Sequence, residues 1–509
     1  MGTGDGDRSA VSPGLFLVAV AAVALGLVLR FVAPSPMWLD EAISASLADE
    51  VGIGWSALVE ALRHDGHPPL YYVLLGAWSD VFGTTDTALR AFSGVLGVLS
   101  LPLGWLVARR HLDRRGSIMV VAVLASSPFA VRYATEVRMY ALLLVLLLVL
   151  HLVVVWAWER PSTGRAGAVA VVVAAILLTH YWALFAVAVL GIGALASRRV
   201  DRRRGNHLVG GVVAGCLAFV PWIPVLIDQM AHTGTPWSPA PRPTVVVALT
   251  LEAYGGGRGA EALLVVVAFS VLLALGLGSR EGVTGSTLGL TNLPWLRVVV
   301  VAGAATMTLG AVVSLATDTA FQGRYGVFAL VPLVLGCAVG LQRMTPRSSV
   351  VALALLVLLS GVSVAREVSR DRTQIGEIAD VVKAEGSSED LVVFCPDQLA
   401  PAGSRLLADG FITRSYPALD DGRRVDWVDY AQRNAGVDVD AVADAIAMEA
   451  AGSDNVWLAW MDGYLTFEGQ CPRLRLALAE RLGRPVRAVH ADSEAFDDAA
   501  NLSRFPGGS

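Results

Sequence analysis

Long apolar runs alternate with short charged loops over most of this chain, and the runs have the length a bilayer demands. Stretches near 14–33, 86–108, 116–132, 137–157, 165–180, 181–197, 207–228, 259–278, 297–316, 324–341 and 348–365 predict about eleven membrane-spanning helices. The loops between them sort by charge. Arg109 to Arg115, Glu159 to Arg165, Arg198 to Arg204 and Arg343 to Arg347 are arginine-rich, and short loops of that kind stay cytoplasmic. All four share one side if the N-terminus is inside, if 68–83 does not cross, and if 165–197 crosses twice with a break at Thr179-His180-Tyr181-Trp182. The 68–83 stretch is short and contains Trp78 and Asp80, so it reads as an interfacial or re-entrant helix. Residues 34–85 then form one long external loop. The beginning of the chain, with Arg8, an apolar run from Leu15 to Val32 and then Ala33-Pro34-Ser35, mimics a secretory signal. The run is longer than a signal core and many spans follow it, so it reads as the first span, uncleaved.

Past residue 370 the pattern changes. Ile375 to Glu385, Val439 to Ala451 and Leu474 to Leu482 predict helices, while Leu391 to Phe394, Asn455 to Trp460 and Val486 to His490 predict strands. That alternation is the signature of a small α/β domain. The division is thus a membrane domain over 1–369 and an α/β domain over 370–509, which an odd number of spans places outside. Cys395 and Cys471 lie in the tail, and an oxidising compartment allows them to pair. Cys216 and Cys337 fall in spans and read as small core hydrophobes.

Composition agrees with a polytopic α-helical membrane protein. The chain is 55% hydrophobic and 16% charged, where soluble proteins carry about 25% charged residues. The net charge of -5 gives no footing for nucleic-acid binding. Four cysteines without CxxC spacing argue against a zinc or thioredoxin-like motif.

The chemistry collects at the external ends of the predicted helices. Asp40 and Glu41 follow the first span directly, where ionisable groups are costly unless water or a ligand meets them. The same loop adds His64, Asp65 and His67. The next external junction reads Arg132-Tyr133-Ala134-Thr135-Glu136-Val137-Arg138-Met139-Tyr140, followed along the chain by Thr179-His180-Tyr181-Trp182 and Gln322-Gly323-Arg324-Tyr325. Taken singly, each has a plainer explanation: a hydrated turn for the acids, snorkelling for the arginines, a polar cap for His180. Taken together, acids, histidines and arginines gather on one membrane face. Arginine there runs against the positive-inside bias, and a phosphate at the lipid boundary suits its bidentate fork.

Trp38-Leu39-Asp40-Glu41-Ala42, Asp65-Gly66-His67-Pro68-Pro69-Leu70-Tyr71-Tyr72 and Phe82-Gly83 to Leu89-Arg90 resemble the GT-C membrane glycosyltransferases. Within them the chain looks like glycosyltransferase family 39, with the protein O-mannosyltransferases and the lipid A aminoarabinose transferase as relatives. Tyr133 to Tyr140 is similar to that family's Tyr-Ser-Gln-Glu-Ala-Arg-Met-Tyr segment, and His180-Tyr181 and Arg324-Tyr325 match in order. The resemblance covers about 14–365 and leaves out the tail. It implies a GT-C fold and transfer of mannose or a related sugar from a polyprenyl-phosphate donor. The acceptor would be an extracytoplasmic protein, lipid or envelope glycan, with inversion at the anomeric carbon. It implies Asp40 as catalytic base and Glu41 either orienting it or contacting the acceptor. Arg138 and Arg324 would hold the donor phosphate, with His67 near it, and Glu136, Tyr140, His180, Tyr181 and Tyr325 would complete the substrate-binding set. The aminoarabinose transferase has Glu-Lys before its Pro-Pro pair, where this chain has Gly66-His67. That departure leaves donor identity and a divalent cation open; no metal ligands and no other cofactor are assigned.

A carrier or flippase for a lipid-linked saccharide is the alternative. Transporters place polar groups near the bilayer midplane and often carry internal repeats; here the polar groups crowd one face and no repeat is evident. A structural subunit whose tail binds cell-wall polymer leaves the Asp-Glu loop unexplained.

Overall fold

The computed structural model describes residues 11–235, 238, 241–278, 293–408 and 410–506. Arg8 of the signal-like beginning lies outside them. The chain divides into two compact units. The first comprises Met1–Val32, Arg90–Ile223 and Ala240–Val368; the second comprises Ala33–Leu89, Pro224–Pro239 and Ser369–Ser509.

The first unit is helical. Every stretch expected to span coincides with a helix, among them Pro13–Leu29, Asp86–Arg109, Tyr140–Glu159, Ala260–Leu277, Pro294–Ala316 and Pro346–Ser369. Among the described residues of the whole chain, seven helices are long and apolar enough to cross a membrane, and five more are apolar but shorter, Leu70–Phe82 of the second unit being one of them. The expected break inside 165–197 is present: Thr163–Leu177 and Ala183–Ser197 are separate helices with His180 between them. The expected span over 116–132 is interrupted, because Arg114–Ser126 stops at Ser127 and Pro128 starts a new turn, Pro128–Arg132. One apolar helix, Pro243–Gly255, has no counterpart among the expected spans.

Small residues let these helices approach closely, since lipid gives helices little hydrophobic reason to associate. Helix Ala260–Leu277 meets Val327–Arg343 through glycines; a Cβ on Gly276 would come within 2.2 Å of the Gly336 carbonyl oxygen. A buried arginine serves the same end. Arg30, 1% exposed, donates to the carbonyls of Gly26, Leu124 and Ala125 at 2.8 to 3.1 Å. It thereby joins the end of the first helix to Arg114–Ser126.

In the second unit the tail forms a five-stranded sheet. The strands are β1 (Leu391–Cys395), β2 (Ile412–Ser415), β3 (Asn455–Trp460), β4 (Val486–Val489) and β5 (Asn501–Pro506), in the order β2-β1-β3-β5-β4. β1 runs parallel to β2 and β3, and β5 runs antiparallel to β3 and β4. All five residues of β1 are buried, as a central strand covered on both faces requires. Asp390 organises its N-terminal edge, accepting from the Asn455 backbone N–H at 2.9 Å and the Trp457 indole at 2.8 Å. β2, β5 and helix Ala400–Leu407 lie outside the elements expected from sequence. Cys395, at the end of β1, is disulfide-bonded to Cys471 in helix Gln470–Leu482.

The same unit holds the first-loop helices Leu39–Ile53, Trp55–Arg63 and Leu70–Phe82. The last has 13 residues, about 20 Å at helical rise and short of a bilayer core of about 30 Å. Ion pairs tie the first of these helices to the tail, Glu50 to Arg424 and Asp49 to Arg423 at 3.3 Å, and Asp86, also in this unit, pairs with Arg405 at 2.9 Å.

Candidate functional site

The candidate residues fall into two groups, one in each unit. In the second unit, Asp40 and Glu41 occupy the first turn of Leu39–Ile53, where a helix dipole favours carboxylates. The backbone N–H groups of Glu41 and Ala42 both donate to the Trp38 carbonyl at 3.0 Å. Asp40 is half-buried, while Glu41 is 0% exposed and ion-paired with Arg372 at 3.5 Å. His67 is fixed through Nδ1, which lies 2.7 Å from Asp65 Oδ2. The Tyr72 hydroxyl donates to the same carboxylate oxygen at 3.4 Å. Gln229 holds this turn by donating to the carbonyls of Leu62 at 2.6 Å and His67 at 3.3 Å. An orienting carboxylate on one ring nitrogen is a common way to set a histidine for work at the other.

In the first unit, the segment between Pro128–Arg132 and Tyr140–Glu159 is buried throughout from Ala134 to Met139, including Glu136 and Arg138 at 1% and 2% exposure. Buried charges need partners. Glu136 has one in Arg132, 2.9 Å away, and Arg132 reaches a second acid, Glu367, at 3.1 Å. Arg132 is thus held between two carboxylates and reads as a structural cation. Beside it lies an aromatic frame. The His180 ring sits 5.8 Å from Tyr140 and 5.4 Å from Tyr325, and Trp182 stacks on Tyr325 at 4.4 Å. Arg324 places its guanidinium 5.8 Å above the Tyr140 ring, within cation–π range. The short turn Gly323–Gly326 carries Arg324 and is anchored by the Tyr254 hydroxyl, which donates to the Gly326 carbonyl at 2.7 Å. Tyr181 accepts from the Trp222 indole at 2.9 Å.

The structure therefore brings Tyr140, His180, Arg324 and Tyr325 together from three separate stretches, with Glu136 locked to Arg132. Sequence reasoning passed over Glu367, Trp182 and Arg372 as site residues. An acid at the end of the last apolar helix was the available signal for Glu367. Arg372 gave none, because it lies beyond the last span in a stretch that reads as surface. Among the described residues no group of three or more His, Cys, Asp or Glu side chains converges as a metal site.

The family model for dolichyl-phosphate-mannose-protein mannosyltransferase matches residues 66–226. No curated protein matches the chain in sequence. Among solved structures, ArnT from Cupriavidus metallidurans bound to undecaprenyl phosphate aligns at 14% identity over 97% of this chain and 98% of that one, with a TM-score of 0.63. The apo form of that protein gives a TM-score of 0.65 at 14% identity, covering 96% of this chain and 97% of that one. The arabinofuranosyltransferase AftD from Mycobacteria aligns at 17% identity and a TM-score of 0.53 over 100% of this chain and 41% of that one. The fold is that of a multi-pass GT-C membrane protein with a small C-terminal sheet domain. The chain is thus similar over residues 66–226 to the dolichyl-phosphate-mannose-protein mannosyltransferases and, over nearly its whole length, has the fold of ArnT.

Proposed function

We propose that this chain is an inverting glycosyltransferase that takes a sugar, mannose or a related one, from a polyprenyl-phosphate donor. The acceptor is a hydroxyl group on an extracytoplasmic protein, lipid or envelope glycan. The observation that carries the reading is the Arg324 turn set against the Tyr140–His180–Tyr325 frame, in a chain whose 66–226 stretch matches the mannosyltransferase family. Arg138 and Arg324 are the cations that the family resemblance assigns to the donor phosphate, and Arg324 stands over the Tyr140 ring. In the reaction the acceptor oxygen forms a bond to the anomeric carbon and gives its proton to the Asp40 carboxylate. The bond from that carbon to the phosphate oxygen breaks, and polyprenyl phosphate leaves with the electron pair, its charge met by guanidinium.

The test is transfer by the purified protein in lipid nanodiscs, supplied with undecaprenyl-phosphate sugars and an envelope fraction. Radiolabelled sugar should move to the acceptor with inversion. Movement of intact donor between leaflets without bond cleavage would establish the carrier alternative. Sidedness is tested with single cysteines near residues 50, 112, 202 and 430 in a cysteine-free background. An impermeant thiol reagent on intact cells should label 50 and 430 and spare 112 and 202.

A further inference from the structure

The two adjacent acids of the first loop are treated in opposite ways. Successive residues on a helix point about 100° apart, so this turn cannot seal both carboxylates alike. Glu41 faces inward at 0% exposure and Asp40 stays half-buried. An unpaired carboxylate in such a position costs several kcal/mol. A compensating charge comes from a distant stretch of the sequence: Arg372, 2% exposed, 3.5 Å from Glu41.

Arg372 is itself pinned on both sides. Its backbone N–H donates to Ser35 Oγ at 2.9 Å, in the loop immediately before Asp40. Its carbonyl accepts from the N–H groups of Asp497 and Asp498 at 3.1 and 3.0 Å, while Thr373 bridges to Asp498. Gly376 packs against the same loop so tightly that a Cβ there would lie 2.6 Å from Pro36 Cγ. The tail also sets the charge around Asp40. Burial, then Asp497, then Asp40 itself push the Asp498 carboxyl up to about 7. Tyr464 is pushed above the ordinary phenol range by burial and by Asp397, Asp498 and Asp40. The charged and titratable groups that bear on Asp40 thus include Glu41 beside it, which is paired with Arg372, and Asp498 and Tyr464 from the tail.

We propose that Arg372 is a positioning residue for the transfer reaction: by neutralising Glu41 and clamping the first turn of Leu39–Ile53, it fixes the Asp40 carboxylate and the charge that carboxylate sees. This rests on the reading of Asp40 as the base. Glu41 is then the anchor that orients Asp40 and has no contact with the acceptor.

The test follows Asp40 directly and needs no substrate. Full-length protein in nanodiscs is treated with water-soluble carbodiimide across pH, and modification of Asp40 is quantified by peptide mass spectrometry. Arg372→Met leaves an extra negative charge behind Asp40 and should move the midpoint up by roughly half a unit or more. Glu41→Gln leaves an extra positive charge and should move it down. The double variant should return near wild type. Turnover is measured in parallel with whichever of undecaprenyl-phosphate mannose, glucose or arabinose the wild type uses. Arg372→Met should lower kcat at least ten-fold with little change in donor KM, Arg372→Lys should restore most of it, and the acid limb of the rate profile should track the labelling midpoints.

Where Arg372→Met fails to insert, Glu41→Gln and the double variant carry the same opposed shift. Midpoints that do not move, or that move together, overturn the positioning role. Activity retained by Asp40→Asn overturns the base reading instead. An inactive Asp40→Asn with immobile midpoints overturns the positioning role alone.

Discussion

The two units handle charge in opposite ways. In the first, the candidate groups are cations in an aromatic frame, and the acids there are consumed by Arg132. In the second, the candidate acids are Asp40 and Glu41, and arginines from the tail pair with acids of their helix: Arg372 with Glu41, Arg424 with Glu50, Arg423 with Asp49. The difference separates two demands of sugar transfer. Releasing a phosphate requires fixed positive charge with weak competition from acids, whereas removing a hydroxyl proton requires an accessible carboxylate whose neighbours are neutralised. An arginine near an acid is therefore no evidence of phosphate binding until its partners are known. Arg132 and Arg324 look alike in the sequence, yet Arg132 pairs with Glu136 and Glu367 whereas Arg324 stands over the Tyr140 ring.

The strongest blow to this contrast falls on Asp40. Asp40→Asn keeps the shape and removes the base, and transfer should fall by roughly 10²–10⁴-fold while the protein still folds and inserts. A variant retaining more than a few per cent of the wild-type rate would remove Asp40 from the role. A smaller effect is expected in the other unit. Arg324→Ala and Arg138→Ala should each raise the donor KM by roughly ten-fold or more, since a charge-assisted hydrogen bond is worth about 1.5–3 kcal/mol. Arg132→Gln should instead lower thermal stability, because it removes the ion pairs to Glu136 and Glu367. Donor KM unchanged in both Arg138 and Arg324 variants would return them to snorkelling.

How much of this was legible before the structure follows from what each signal depends on. The helices of the first unit are written in length and hydropathy, and the break at His180 in the polar Thr179–Trp182 interruption. Helix Pro243–Gly255 escaped because it is short and its apolar run, Val245-Val246-Val247-Ala248-Leu249, is brief. In the tail, strands with continuous apolar runs such as Leu391–Cys395 stood out, whereas β2 and β5, Ile412–Ser415 and Asn501–Pro506, mix polar residues into the ladder and gave no pattern. The motif residues were visible as residue types; their partners were not. Glu41–Arg372 and Arg132–Glu367 join positions far apart in the sequence, and no local period records such a pairing.

The smallest effect concerns the acids that no arginine restrains, and it sharpens the contrast from inside the second unit. Asp397 is 8% exposed and hydrogen-bonded to the Tyr430 hydroxyl. Burial is the largest influence on it and pushes its carboxyl up to about 7, against the pull of Tyr430 and Arg433. A carboxyl whose folded pKa lies above its unfolded value keeps a proton that the unfolded chain gives up. Stability is therefore fully present below about pH 4 and is lost as the pH climbs toward about 7, by at most about 4 kcal/mol for this group. Glu41 is buried as deeply but has Arg372, and Asp397 shows what the second unit does with a buried acid that lacks such a clamp: it holds the proton. Asp397→Asn keeps the hydrogen bond to Tyr430 and removes the titration. Melting temperatures in detergent between pH 5 and 8 should fall more steeply for the wild type than for Asp397→Asn, with Asp498, also raised to about 7, supplying the slope that remains. Parallel slopes for the two proteins would mean that Asp397 is already ionised in the fold at neutral pH, and that a clamp is not what separates Glu41 from its neighbours.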